Sequence, residues 1–329
     1  MKQLNLILSF RTLNVLLILF SFQLKAQVSS HGLLQVEGNK IINQNGEKIS
    51  FAGASLFWSN NGWGGAKYYT KEVVSWLHKD WDARIIRAAM GVEEKGGYFT
   101  DVKSNKERVE LIINAAVEND MYVIIDWHSH HAHEKDWDKA ASFFEEMAKK
   151  YGHLPNVLYE IYNEPLQVSW SKDIKPYAES IISAIRKHDP DNIIIVGTPT
   201  WSQDVDVAAK DPIDQSNIAY TLHFYAGSHG QKLRNKADEA LKKGIALFVT
   251  EWGAVNANGD GKVAYEETNA WIKWMKQNNI SHCNWSINDK VEGASALLPG
   301  ASNKGGWKKL TPSGTFVRKI MLEYNTIEK

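Results

Sequence analysis

The chain holds a single cysteine, Cys283, in 329 residues. No intrachain disulfide is therefore available, and stability has to come from a packed core. Charge of one sign is also missing: Lys plus Arg and Asp plus Glu both number 38. That balance excludes the broad field on which nucleic-acid or anionic-membrane binding relies. No Pro/Gly/Ser-rich or low-complexity stretch marks a linker or an appended module. Beyond the first residues no apolar run is long enough to span a bilayer. The first strand region, "FAGASLFW", lacks G-x-G-x-x-G, and no H-E-x-x-H occurs anywhere, so neither a dinucleotide fold nor that zinc-site pattern is indicated.

The apolar run that does exist lies at the start. Lys2 and Arg11 precede Leu13–Phe22, and Leu24-Lys25-Ala26 precede Gln27. The run is about half the roughly 20 residues a spanning helix needs. A charged segment, a short apolar segment and a small residue before the cut are the features of a signal peptide. Residues 1–26 are expected to direct export and to be removed. Residues 27–329 are expected to form one domain, ending outside the cell or in the periplasm.

After residue 31 the chain reads as a β-hairpin (31–50) turning at Asn45-Gly46. Short apolar β-rich runs then alternate with amphipathic helical patterns. The runs fall at 49–55, 83–90, 121–128, 156–164, 192–199, 218–225, 245–253 and 281–288. The last is "SHCNWSIN", in which Cys283 reads as a buried, inert thiol. Near-continuous apolar strands interleaved with helices imply a parallel sheet covered on its faces. Eight such units in this length imply an α/β fold, the (β/α)8 TIM barrel, with a short N-terminal β-hairpin.

A barrel of this kind works at the C-terminal ends of its strands. Arg87, His128, Asn163 with Glu164, Trp201, His223 with Tyr225, Glu251 and Trp285 all fall there. Two glutamates facing each other across a barrel mouth are the equipment of a retaining glycosidase, one as nucleophile and one as acid and base. Arg87 and the Tyr225 hydroxyl are expected to keep one of them ionised, and the less solvated partner to keep its proton. Thirteen tryptophans are many for this length. Trp201, Trp285 and Trp58 or Trp63 offer flat apolar faces to sugar rings, which carry no charge to steer on. Of the histidines in "HSHHAH" (128–133) only His128 is placed at the site; the rest belong to a loop. No cofactor and no metal are expected.

These stretches resemble glycoside hydrolase family 5, most closely its bacterial endo-β-1,4-glucanases. The matching segments are "ARIIRAAM", "YVIIDWHSH", "VLYEIYNEP", "DNIIIVGTPTWSQDVD", "IAYTLHFYAGSHGQ", "LFVTEWG" and "NWSINDKVEGASAL", from about residue 31 to about 325. The resemblance implies Glu164 as acid/base and Glu251 as nucleophile. It implies that Asn163 bonds the sugar 2-hydroxyl, that Arg87 and Tyr225 orient Glu251, and that His128 and His223 surround the reacting sugar and Glu164. Trp285 would lie under the sugar at the cleavage point and Trp201 on the leaving-group side. Lys290 and Glu292 would bind the next sugar toward the non-reducing end. One departure is visible: many members carry a histidine near the position of Phe57, and "SLFWSNNGWGG" has none. The expected substrate is a β-1,4-glucan, cleaved by a monomer. Another β-glycan (mannan, xyloglucan, mixed-linkage glucan) is the alternative substrate, and a non-catalytic glycan binder is the alternative class.

Overall fold

The computed structural model describes residues 27–134 and 136–326; the expected signal peptide lies outside them. A two-stranded antiparallel sheet, β1 (Gln35–Glu37) and β2 (Lys40–Ile42), comes first. Eight strands follow: β3 (Ala52–Leu56), β4 (Ile85–Gly91), β5 (Tyr122–His128), β6 (Val157–Glu160), β7 (Ile194–Val196), β8 (Ile218–Tyr225), β9 (Ala246–Gly253) and β10 (His282–Ile287). They close into a parallel barrel, β10 pairing with β3. Every strand run of the sequence reading coincides with a barrel strand, with shifted ends. Among the described residues, no helix is long and apolar enough to cross a membrane.

The N-terminal segment turns at Asn45-Gly46 as expected, where Ile42 bridges Lys48 in antiparallel fashion, and it also turns once before that. Its tight turn is at Gly38, with φ +59°, between Glu37 and Lys40. Asn45-Gly46 makes the next turn, where the Gly46 and Glu47 N–H groups donate to the Asn43 carbonyl and side chain and the Asn43 N–H donates to the Glu47 carbonyl. Both sites supply the left-handed conformation that glycine adopts freely. Two turn signals in one short segment cannot be ranked from sequence alone. The hairpin plugs the bottom of the barrel: Leu34, Ile41 and Ile49 pack with Phe51, Tyr122, Ile124 and Phe248. Val36 N–H donates to the Asn217 side chain, pinning the plug to the loop before β8.

Side-chain alternation along the strands sorts three layers. On β5, Val123, Ile125 and Trp127 face the helices, whereas Tyr122 and Ile124 fill the barrel bottom. The same inward row continues upward as Asp126 and His128. On β4 the inward row is Ile85 then Arg87, and on β6 it is Leu158 then Glu160. The barrel is thus apolar below and charged above. Helices cover the outside through residues such as Val73, Leu77 and Trp81 (helix Lys71–Trp81) and Phe143, Phe144 and Met147 (helix Trp137–Tyr151). After β7 no long helix forms; two short turns, Pro199–Ser202 and Val205–Ala208, stand in its place. That shortened crossover leaves the mouth open beside Trp201.

Candidate active site

The barrel mouth holds two connected hollows. One, of about 460 Å³, is lined by Trp58, Trp63, His128, Trp285, Lys290 and Glu292, among others. The second, of about 390 Å³, is lined by Trp201, Gln203, His223 and His229. Glu164 and Tyr225 line both. The groove therefore passes over the two glutamates of the sequence reading.

Arg87 is the base of the site. It lies mid-strand, not at the strand end, and is fully buried. Its Nη1–H donates to Glu251 Oε2 at 2.9 Å, its Nε–H to Glu160 Oε2 at 2.7 Å and its Nη2–H to Asn163 Oδ1 at 2.6 Å. Asp126 Oδ2 lies 2.9 Å from Nη2. A buried guanidinium survives only with such compensation. Burial alone would lower its pKa; Asp126, Glu160 and Glu251 outweigh this and push it well above the ordinary value.

Glu251 stands at a bulge. The β8–β9 register runs Thr221↔Phe248 and then His223↔Glu251, so β9 carries one extra residue. Consecutive residues Thr250 and Glu251 consequently both point into the barrel, which regular alternation forbids. Glu251 Oε1 accepts the Tyr225 hydroxyl at 2.7 Å while Oε2 accepts Arg87. Burial and then Glu164 push the Glu251 carboxyl upward; His223, Arg87 and Tyr225 pull against them. Burial, with Glu251 and Glu164 next, raises Tyr225 far above its usual value, so it stays a neutral donor.

Glu164 follows β6 by four residues. Its side chain is 14% exposed, against 6% for Glu251. This reverses the expectation that the less solvated glutamate keeps its proton. The more buried one is the glutamate held by Arg87 and Tyr225. Oxygens of Glu164 and Glu251 and a nitrogen of His223 lie within 4.8 Å of one another. His223 Nδ1 is 2.9 Å from Glu164 Oε1. Burial lowers His223, but hydrogen bonds to Glu160 and Glu164 and the Glu251 charge overcome it and raise it to about 9. Both ring nitrogens of His223 are engaged, Nδ1 by Glu164 and Nε2 by Thr250. His128 is the opposite case: burial and then Arg87 hold it well below its usual pKa, and it is neutral.

The proline after Glu164 lies beyond the end of the strand. β6 stops at Glu160, and the Pro165 carbonyl accepts the Trp201 N–H at 2.7 Å. Thr200, Trp201 and Ser202 all have positive φ (60°, 53° and 55°). Such backbone costs about 1–3 kcal/mol per residue and persists where the surroundings impose it. Here Ser202 Oγ–H also donates to the Asn163 carbonyl at 2.7 Å. The turn fixes Trp201, 39% exposed, to the segment that carries Glu164.

The remaining expected residues gather as follows. The Trp285 ring stacks on His128 at 5.0 Å and 2°. Trp58 meets His128 edge-on at 4.1 Å. Lys290 and Glu292 pair with each other at 2.8 Å at the far rim. Phe57 lines the groove where the family histidine is missing, with Lys290 Nζ 4.7 Å over its ring. In the histidine-rich loop, His130 also reaches the groove; His131 pairs with Glu134, and His133 packs on Tyr162. The sequence reading missed Asp126, Glu160 and Thr250, all buried beneath the groove.

The family model described as cellulase (glycosyl hydrolase family 5) matches residues 42–291. The chain belongs to glycosyl hydrolase family 5. It is 62% identical over 289 residues to Endoglucanase Z of Dickeya dadantii, a match covering 88% of this chain and 66% of that protein. It is 46% identical to an endoglucanase of Clostridium saccharobutylicum, covering 92% of this chain and 67% of that one. The chain therefore spans about two thirds of the length of these relatives. Among solved structures, one from Cytophaga hutchinsonii superposes with a TM-score of 0.89 at 51% identity, covering 92% of this chain and 99% of that chain. The catalytic domain of a Thermobifida fusca endoglucanase in complex with cellotetraose superposes with 0.85 at 33% identity, covering 90% and 99%.

Proposed function

We propose that this chain is an endo-acting β-1,4-glucanase that hydrolyses cellulose-type glucans with retention at the anomeric carbon. One observation carries the reading. Glu164 and Glu251 oxygens lie within 4.8 Å of each other in the middle of a tryptophan-lined groove. That separation fits a nucleophile and an acid about 5 Å apart and leaves no room for the extra water an inverting enzyme needs.

The chemistry follows from the contacts. Glu251 attacks C1 while Glu164 gives its proton to the departing glycosidic oxygen, forming a glycosyl–Glu251 ester. Each Glu251 oxygen accepts one hydrogen bond, from Tyr225 or Arg87, and keeps a lone pair free. Esterification removes the Glu251 charge. Glu164, having given up its proton, is then the base that takes one from water. Water attacks C1 and frees Glu251. Asn163, oriented by Arg87, takes the 2-hydroxyl, a bond that tightens in the transition state. Trp285, Trp58 and Trp201 are the sugar platforms, with Lys290 and Glu292 at the next sugar on the Trp58 side.

An endo-acting enzyme cuts long chains early, so the viscosity of carboxymethylcellulose should drop well before reducing ends accumulate. Faster cleavage of mannan, xyloglucan or mixed-linkage glucan than of carboxymethylcellulose would keep the chemistry and reject the substrate. No cleavage of any of them would reject the enzyme and leave a glycan binder.

Export belongs to the same reading, and is supported by the charge and apolar pattern of residues 1–26. Protein recovered from the medium or periplasm of an expressing cell should have a mass that starts at Gln27. A mass retaining Met1 with the protein held in the cytoplasm would contradict export.

A further inference from the structure

Glu160 is the first glutamate of "YEIYNEP" and touches neither hollow of the groove, yet it is fully buried under both working carboxylates. Its Oε2 accepts the Arg87 Nε–H at 2.7 Å, and Arg87 in turn holds Glu251. Its Oε1 accepts the Thr250 hydroxyl at 2.6 Å. Thr250 Oγ1 lies 2.8 Å from His223 Nε2, and the other ring nitrogen of His223 lies 2.9 Å from Glu164. A threonine hydroxyl has one proton. Thr250 gives it to Glu160, so toward His223 it can only accept, and Nε2 must carry a hydrogen. Nδ1 is thereby the nitrogen that shares a proton with Glu164.

From this wiring, which rests on the catalytic reading above, we infer that Glu160 is a positioning residue for both steps of the reaction. Through Arg87 it holds the nucleophile, and through Thr250 it anchors the Nε2–H of His223, so that Nδ1 and its proton stay aimed at Glu164. The β9 bulge makes the branch possible, because it turns Thr250 and Glu251 inward side by side. The groups facing Glu160 are Arg87 from β4, Asp126 from β5, His223 from β8, Thr250 from β9 and the Cys283 thiol from β10. The Glu164–His223 pair is also faced by His128, His130 and His229. Burial raises Glu160, but Arg87 and His223 overcome it and leave it below its ordinary value, hence ionised. Asp126 is not its equivalent: burial drives that carboxyl far upward despite Arg87, and His128 Nδ1 lies 2.7 Å from it.

The signs follow. Negative charge at Glu160 keeps the shared proton on the Glu164–His223 pair, so removing it lets the proton leave at lower pH. The same removal leaves more of the Arg87 charge for Glu251, which then ionises at lower pH. E160Q should therefore move both limbs of the kcat/KM profile on carboxymethylcellulose acidward, by roughly one unit each. Its kcat should fall roughly 10- to 100-fold with KM little changed. T250V cuts only the branch to His223, so its alkaline limb should move and its acid limb stay; T250S should restore both.

The experiment is the full pH profile of wild type, E160Q, T250V and T250S, with thermal melts to confirm folding. Should E160Q fail to fold, the T250V and T250S profiles decide alone. Folded variants with lowered kcat and unmoved limbs would overturn the inference, as would a T250V acid limb that moves with the alkaline one. A wild-type protein inactive on glucan would overturn the catalytic reading and this inference together.

Discussion

Glu251→Gln should abolish turnover of every substrate, by roughly 10⁴- to 10⁶-fold, because a residue acting in a catalytic unit costs nearly the whole enhancement when removed. Glu164→Gln should behave differently. Protonating the leaving oxygen contributes about 10²- to 10⁴-fold by general acid catalysis, and only poor leaving groups need it. The E164Q protein should lose that factor on carboxymethylcellulose. On an aryl cellobioside with an acidic phenol it should still form the glycosyl–enzyme quickly and stall afterwards, since no base activates water. A burst of phenol equal to the enzyme concentration, followed by slow turnover, is the expected trace. If E251Q gave the burst and E164Q did not, the two roles would be exchanged. The basis for the assignment is the hydrogen bonding: Glu251 is held by two donors, whereas the Glu164 side chain contacts His223 and lies at the junction of the two hollows.

The second large effect is on stability. Arg87 is the cation against which Asp126, Glu160 and Glu251 are buried. Arg87→Met leaves those acids without it, and breaking a buried ion pair on one side costs about 3–5 kcal/mol. The cost depends on pH. In the variant, the orphaned carboxyls are raised above their unfolded values, so their folded form is favoured while protonated. That stability is present below the unfolded carboxylate pKa and is lost as pH rises through the raised one. Urea unfolding should therefore show R87M closer to wild type at pH 5 than at pH 8. Equal destabilisation at both would mean that Arg87 matters for packing and not for charge. R87K should not rescue the variant, because one ammonium cannot reach Glu160, Asn163 and Glu251 from the positions of a guanidinium fork.

The barrel was legible because its signal is repeated: eight β-rich runs at helical spacing leave few alternatives. The turn at Asn45-Gly46 was legible, but the additional one at Gly38 was not, since the strand before it is pinned through Asn217, far away in sequence. The mouth was legible through residues that interrupt strand ends, such as His128, Glu251 and Trp285. What lies one layer lower was less visible. Asp126 and Glu160 follow the inward parity of Ile124 and Leu158, and parity would have flagged them as charges inside a barrel. Glu160 was nonetheless overshadowed by Glu164 four residues later. Thr250 keeps the inward parity of Ala246 and Phe248, and it is Glu251 that breaks it, at a bulge that cannot be inferred from "VTEWG". The pinned left-handed turn at Thr200–Ser202 is likewise set by Pro165 and Asn163, far away in sequence.

The most direct test of the account is to incubate wild-type protein with an activated 2-deoxy-2-fluoro-β-cellobioside, measure intact mass and map the labelled peptide. The fluorine slows both steps and the good leaving group restores the first, so the ester accumulates. The account predicts a gain of one fluorocellobiosyl group, located on Glu251 and absent from the E251Q protein. A label on Glu164, or no label on folded protein that cleaves carboxymethylcellulose, would contradict it.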